Sequence, residues 1–280
     1  MSKTAVLTDS ASDIPRELEE KYGIDILPFS IVVDGQSYTE RVDFTNEQYY
    51  EMLTKAEGIP KTSQITMLRF LEKFCAYADE GYTDVIFVSI NSACMAAESL
   101  RDERPGCTMN VHVVDSHTYS MTYGWHVCEA ARKLQAGADV KSVVEYLEDQ
   151  LARMEIMLSM YTLRFVKKSG RVSAAAAFAG ELLGLRPIIH MVDDTTSTIA
   201  KVRGDSAVMP GLIVQTKKRM AEGTPYLIGA TDDGNAKMLA KMCKKEFGYA
   251  PAATFLLGAA VATNTGPNAV AIVYQGEKRR

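Results

Sequence analysis

Three short apolar runs, each followed by hydroxyl and carboxylate side chains, constrain the fold of this chain most strongly. The runs cover residues 5–7, 85–88 and 111–114, and a helical pattern follows each of them. Buried parallel strands have this character, and open α/β sheets bind ligands at the carboxyl ends of such strands. The sequence therefore predicts that Ser, Asp and Asn side chains from three strands meet around one crevice.

The pattern of strands and helices changes near residue 155. Before that point, strands and helices alternate, which argues for a mostly parallel sheet with right-handed crossovers. After it, a hairpin turn at Asp193-Asp194-Thr195 stands among helical segments and indicates a mixed sheet. We therefore predict an α/β protein of two α/β domains, residues 1–155 with the parallel sheet and residues 156–280 with the mixed sheet, and a ligand site between them.

Local signals predict individual elements. Thr45-Asn46-Glu47-Gln48 is a capping box that opens a helix, and Asp34-Gly35 is a hairpin turn. Asp13 is expected to cap the helix that follows it. Residues 26–33 form one extended run, and residues 61–64 form a polar loop.

Composition argues against several classes of protein. The 280 residues carry a formal net charge of −4, which gives no reason to expect nucleic acid as a partner. Five scattered cysteines without a CxxC pair indicate reduced thiols. The four histidines lack metal-ligand spacing, and no apolar run approaches the roughly 20 residues of a membrane span. We expect a cytoplasmic protein with no metal, no nucleic acid and no membrane span.

Hydroxyl side chains at predicted helix starts form the first candidate site. Hydroxyls and free backbone N–H groups at helix N-termini bind an anionic carboxylate or phosphate without a lysine. Each hydroxyl is also consistent with a simple helix cap. Arg203, at a predicted strand end, would present a guanidinium to an anion. The hydroxyl set is Ser10, Thr62, Ser63, Ser92 and Ser116, with Asp9 and Asp115 nearby.

Apolar side chains crowd one region of the second half and form the second candidate site. Packing in a hydrophobic core is the default explanation for such a cluster of apolar side chains. Small alanines beside branched residues also fit a channel for a chain-like ligand. The channel residues that we select are Phe165, Ala175, Phe178, Leu182, Ile188 and Ile189.

Seven stretches, in order along almost the whole chain, resemble the patterns of the DegV family. They are Thr8-Asp9-Ser10 through Asp13, Thr62-Ser63-Gln64, Val114-Asp115-Ser116, Lys168-Ser169-Gly170-Arg171-Val172, Arg186-Pro187-Ile188-Ile189, Lys201-Val202-Arg203 and Thr265-Gly266-Pro267. A single stretch of this kind would be a weak signal, whereas the ordered set is fairly specific.

The resemblance implies a two-domain α/β protein that binds a long-chain fatty acid such as palmitate. The carboxylate would lie at the domain interface and the acyl chain inside the second domain. Some family members present the fatty acid to a separate fatty-acid kinase. Asn264 stands where the family often has histidine, and its amide can still donate a hydrogen bond.

The resemblance also implies roles for individual residues. Thr62, Ser63, Ser92 and Asn264 would bind the carboxylate. Arg203 and Thr265 would lie at the entrance and dock a partner. On this interpretation the protein is a lipid carrier and not an enzyme.

Two other classes of function remain open from the residues alone. An enzyme acting on a small phosphate or carboxylate would use the same crevice, with Asp9 or Asp115 as its base. A protein-binding module would instead expose an apolar patch and have no cavity.

Overall fold

The computed structural model describes residues 3–90, 94–104, 106–169 and 184–279. The strands among them are β1 Thr4–Asp9, β2 Ile24–Leu27, β3 Ser30–Val33, β4 Gln36–Thr39, β5 Lys61–Ser63, β6 Asp84–Ser89, β7 Asn110–Asp115, β8 Met154–Met160, β9 Leu185–Val192, β10 Thr195–Arg203, β11 Tyr226–Ala230, β12 Ala253–Leu256 and β13 Ala269–Gln275.

The α-helices in the same residues connect and cover these strands. They are α1 Arg16–Tyr22, α2 Asn46–Lys55, α3 Met67–Asp79, α4 Cys94–Glu103, α5 Met121–Gln135, α6 Val140–Leu151, α7 Arg164–Ser169, α8 Val208–Lys217, α9 Asp233–Phe247 and α10 Ala259–Thr265. Of these described helices, none has both the length and the hydropathy that a bilayer crossing requires.

The strands form three sheets. A parallel sheet has the order β2-β1-β6-β7, and a mixed sheet has the order β10-β9-β8-β13-β11-β12. Within the mixed sheet only β11 and β12 are parallel neighbours. A small antiparallel sheet, β4-β3-β5, completes the set. The predicted fold class, a mostly parallel sheet followed by a mixed sheet, is confirmed.

One hydrophobic core joins the parallel sheet to the mixed sheet. Helices α5 and α6 pack on the parallel sheet, and α5 also contacts β8 and β13 of the mixed sheet. Val88, Val127, Leu147 and Leu158 therefore belong to one cluster of buried side chains. Helices α8 and α9 cover the opposite face of the mixed sheet. The two sheets divide the chain near residue 155, whereas this core spans the division, so the two-domain boundary stays a prediction.

The local predictions have mixed outcomes. The Thr45 capping box is present, and both hairpin turns form. Asp13 caps no helix, because its left-handed backbone ends a short 3-10 turn instead, and α1 begins after Pro15. The run 26–33 is broken after Leu27, where Pro28 has no N–H to continue a ladder. The expected loop at 61–64 is largely strand β5, which pairs with β3.

Gly124 holds α5 close to the turn that follows β1. A Cβ at this position would lie 2.2 Å from the Ser12 carbonyl oxygen, which is backbone and cannot move aside. We expect Gly124→Ala to lower the free energy of unfolding by about 1–3 kcal/mol, measured by urea denaturation. Gly234→Ala is the matched control, because a Cβ on that helical glycine would meet a single side-chain atom, Asp232 Oδ1, at 3.2 Å. Equal stability of the two variants would contradict this close packing.

Candidate functional site

A cavity of about 310 Å³ lies between the inner face of the mixed sheet and the first half of the chain. The carboxyl ends of the parallel strands contribute Ala11 and Ile90 to its wall, and helix α10 contributes Val261. Among the described residues that line it, most are apolar and none carries a charge. The cavity therefore suits an apolar ligand with a polar group that neutral donors can bind.

Strand register explains the apolar wall. Alternate residues of β8, β9 and β13 face inward, so that Ile156, Leu158 and Met160 line the cavity while Met157 belongs to the opposite core. From Ile156 to Met160 the wall extends four residues along one strand, about 13 Å. Two rows cross the sheet: Thr196, Met191, Ile156 and Val273 form one, and Ile189, Leu158 and Ala271 form the next.

Neutral polar side chains gather at the Met160 end of this wall. Strand β8 leads from Met160 towards α7, and α10 packs against both α7 and β5. Thr62 and Gln64 are exposed, whereas Asn264 is half-buried and Thr265 is buried. All four line the cavity. This end has hydroxyl and amide groups next to an apolar interior.

The structure brings some of the predicted carboxylate-binding residues together and separates others. Thr62, Asn264 and Thr265 share the cavity wall, but Ser63 is exposed and does not line it. Arg203 is exposed and does not line the cavity either. It pairs with Leu185, the first residue of β9, which lies at the same end of the mixed sheet as Met160. Ser92 lies outside the described residues.

The predicted channel residues are similarly divided. Ile189 lines the cavity, whereas its neighbour Ile188 points into the core on the other face of the mixed sheet. Phe165 packs against Gly266 in a separate core cluster with α2, and the next residue, Val166, lines the cavity. Ala175, Phe178 and Leu182 lie outside the described residues.

Asp9 is a fully buried carboxylate that fixes the part of the cavity wall formed at the carboxyl ends of β1 and β6. Its oxygens accept hydrogen bonds from the Tyr123 hydroxyl at 2.5 Å, the Ile90 N–H at 2.9 Å and the Ala11 N–H at 3.0 Å. Burial raises the pKa of Asp9 from 3.8 to about 6 despite these three donors. Because Ala11 and Ile90 both line the cavity, Asp9 positions two parts of its wall.

Glu40 and Asp13 are a second pair of buried carboxyl groups, next to the start of α10. Glu40 accepts from the Ser10 hydroxyl at 2.5 Å and from the Ala260 N–H at 2.8 Å. Asp13 accepts from the Ser120 hydroxyl. Burial raises the pKa of Glu40 from 4.5 to about 7 and raises that of Asp13 as well, and the negative charge of Glu40 adds to the shift at Asp13.

Sequence reasoning missed Glu40. The residue directly follows a hairpin strand, where a charged side chain is normally exposed, and no motif distinguishes it. The strand-end position of Asp9 did indicate a polar site. Among the described residues, no group of three or more His, Cys, Asp or Glu side chains is arranged to hold a metal ion.

The fold and the cavity define a class of α/β protein in which a parallel and a mixed sheet enclose an apolar cavity. A sequence model for an uncharacterised protein family, DegV family COG1307, matches residues 3–277. The chain belongs to this DegV family.

Curated relatives are similar along their full length. A DegV domain-containing protein of Clostridium perfringens is 29% identical over 283 residues, which cover 97% of this chain and 98% of that protein. A DegV domain-containing protein of Staphylococcus aureus is 29% identical over 288 residues, which cover 99% of each chain.

Solved structures share the fold. A DegV lipid-binding protein from Thermotoga maritima has a TM-score of 0.83 at 24% identity, covering 99% of this chain and 100% of that one. A stearic acid-binding protein from Eubacterium ventriosum has a TM-score of 0.86 at 22% identity, covering 98% of each chain. A DegV family protein from Eubacterium eligens, loaded with heptadecanoic acid, has a TM-score of 0.81 at 20% identity, covering 98% and 100%.

Proposed function

We propose that this chain is a non-catalytic carrier in the cytoplasm that binds one long-chain fatty acid in the cavity between the two sheets. The observation that carries the proposal is the cavity itself, with an apolar wall and neutral polar groups at the Met160 end. Relatives of the same fold that hold stearic or heptadecanoic acid support it. No separate cofactor is required.

In this proposal the carboxylate lies near Thr62 and Asn264, with Ser92 as a further donor and Thr265 beside it. Ser63 is a less suitable donor, because it does not line the cavity. The acyl chain follows the inner rows of the mixed sheet, including Ile189. Burying about 14 methylenes at ~0.8 kcal/mol each is worth about 11 kcal/mol before the entropy costs of binding. Tail burial therefore supplies most of the affinity, and the polar end fixes the orientation.

The proposal includes a partner. Arg203 is an exposed cation at the Met160 end of the mixed sheet. It is suited to dock a fatty-acid kinase that acts on the carboxylate, as the family resemblance implies.

The rival enzyme interpretation has less support from the geometry. Asp9 is fully buried, and its two oxygens are already engaged by three donors. Asp115 lines a different, more open pocket with Glu145, Glu148 and Asp149. That pocket has a volume of about 520 Å³ and is lined by four carboxylates beside the single amine of Lys278, so its net negative charge disfavours an anionic substrate.

A Thr62→Val variant tests the position of the carboxylate. The substitution keeps the shape of the side chain and removes a hydroxyl, so we expect fatty-acid affinity to fall about tenfold, the lower end for a hydrogen bond to a charged group. Isothermal titration calorimetry with palmitate measures this change. Ser63→Ala is the matched control, because it changes the next residue of β5 outside the cavity and should alter affinity less than about twofold. Equal effects of both variants would rule out this position, and no binding by the wild type would rule out the function.

A further inference from the structure

Helix α10 is held to the first half of the chain mainly through its start and one buried face. Its residues Val261, Asn264 and Thr265 form part of the cavity wall. The hydroxyl of Tyr50 donates to the Leu257 carbonyl just before the helix. Thr263 donates its own hydroxyl proton to the Ala259 carbonyl at 2.8 Å, so Tyr49 must be the donor in its 2.5 Å contact with Thr263.

Two carboxyl groups lie against the backbone at the start of α10. The Ala260 N–H donates to Glu40 at 2.8 Å. A Cβ placed on Gly258 would lie 2.2 Å from Asp13 Oδ1 and 3.3 Å from Glu40 Oε1. Both carboxyl groups therefore face the same backbone position, which only glycine fits.

Two ionised carboxylates cannot share a buried site of this size without strong repulsion. Asp13 is 6% exposed and Glu40 is 1% exposed. Burial favours the neutral form of each, and the charge of one carboxylate opposes ionisation of the other. Arg41 provides the opposing positive field, but it also contacts Glu19. Helix α10 itself contributes no titratable side chain.

The titratable groups that face the pair from the other packed elements are few. They are Asp9 from β1, Arg41 from the segment after β4, Tyr49 and Tyr50 from α2, and Tyr123 from α5, with Glu47 and Asp232 close to Tyr50. The tyrosines stay neutral, because burial raises their pKa values. Asp9 is therefore the other group in this set that changes charge near neutral pH.

We propose that Glu40 and Asp13 form a proton-holding pair that positions α10, so that loss of the proton loosens the wall carrying Asn264 and Thr265 and weakens ligand binding. This regulation rests on the proposed function, because the ligand is the fatty acid of the same cavity. Linkage then requires that binding near pH 7 be accompanied by proton uptake.

The test compares palmitate affinity from pH 6 to pH 8.5 in the wild type and in Glu40→Gln. Glutamine imitates the protonated acid: its oxygen still accepts from Ala260 and its amide donates towards Ser10. We expect the wild type to lose about tenfold in affinity over this range and Glu40→Gln to lose less than about threefold. The titration of the ligand itself is common to both proteins and cancels in the comparison. Coinciding pH profiles would overturn the proposal.

A second measurement needs no ligand. In Glu40→Ala, amide hydrogen exchange of residues 260–266 at pH 7 should be at least about tenfold faster than in the wild type, while Glu40→Gln stays close to the wild type. Glu155→Gln is the control for general destabilisation, because that buried carboxyl lies elsewhere and pairs with His190 and Arg279. Unchanged exchange in Glu40→Ala would overturn the positioning role. Absence of palmitate binding by the wild type at every pH would instead refute the proposed function and leave this measurement decisive.

Discussion

An Ala271→Phe variant is expected to lose the binding of a long-chain fatty acid almost completely while remaining folded. Ala271 is buried in the middle of the inner face of the mixed sheet, directly opposite Leu158, and its side chain lines the cavity. A phenyl group there enters the space of the acyl chain. Excluding about six methylenes at ~0.8 kcal/mol each costs about 5 kcal/mol, which is more than about 1000-fold in Kd.

Ile272→Val is the matched control for this variant. Ile272 is the next residue of β13, and its side chain belongs to the core on the other face. We expect it to cost about 0.5–1.5 kcal/mol of stability and to leave palmitate affinity unchanged, as measured by calorimetry beside urea denaturation. If Ala271→Phe still bound palmitate tightly, the acyl chain would not lie along this wall.

The free energy of unfolding is expected to fall as the pH rises from about 4.5 to about 7, and Glu40→Gln is expected to remove much of this loss. Burial raises the pKa of Glu40 from 4.5 to about 7, so the folded protein keeps a proton that the unfolded chain has released. The resulting stability is complete below the unfolded pKa and is lost as the pH passes the folded pKa. For Glu40 this corresponds to about 3 kcal/mol.

Other titratable groups also contribute to the dependence of the free energy of unfolding on pH. Asp9, with its pKa raised to about 6, contributes in the same direction. The buried His126 acts in the opposite direction between pH 4 and 6.5, because burial lowers its pKa to about 4. The difference between the pH curves of wild type and variant cancels the contribution of His126 and retains that of Glu40 together with its coupling to Asp9 and Asp13.

Urea denaturation at pH 4.5 and pH 8 measures the effect. Glu40→Gln should match the wild type at pH 4.5 and exceed its stability by about 3 kcal/mol at pH 8. Glu246→Gln, at an exposed carboxyl that pairs with Lys217, should leave the shape of the curve nearly unchanged. A wild-type stability that differs from that of Glu40→Gln by the same amount at both pH values would show that Glu40 titrates normally.

Much of the fold could be predicted from the sequence because its signals are local. Apolar runs ending in polar residues identified β1, β6 and β7, and the turn at Asp193-Asp194 identified the hairpin of β9 and β10. The left-handed backbone of both aspartates is what a two-residue turn requires. Such features depend on a few neighbouring residues, and the structure retains them.

The rest of the fold and of the candidate site depends on long-range contacts, which a local sequence pattern does not reveal. Ile188 and Ile189 have the same chemistry, and only strand register decides that Ile189 lines the cavity while Ile188 fills the opposite core. Glu40 meets Ala260 across 220 positions of sequence. Thr62 belongs to the hydroxyl set of the sequence, and the family resemblance gives it the carboxylate role, but only the pairing of β5 with β3 brings it to the wall.

Helix α5 packs against both the parallel sheet and the mixed sheet, which limits how a ligand can enter the cavity. Separating the two halves of the chain would break the packing of α5 against β8 and β13 and expose apolar side chains of the shared core to water. A local opening of the cavity beside Thr62 and Gln64 avoids this exposure of apolar surface. A fatty acid should therefore enter and leave at the Met160 end of the cavity, while the packing of α5 against both sheets stays intact.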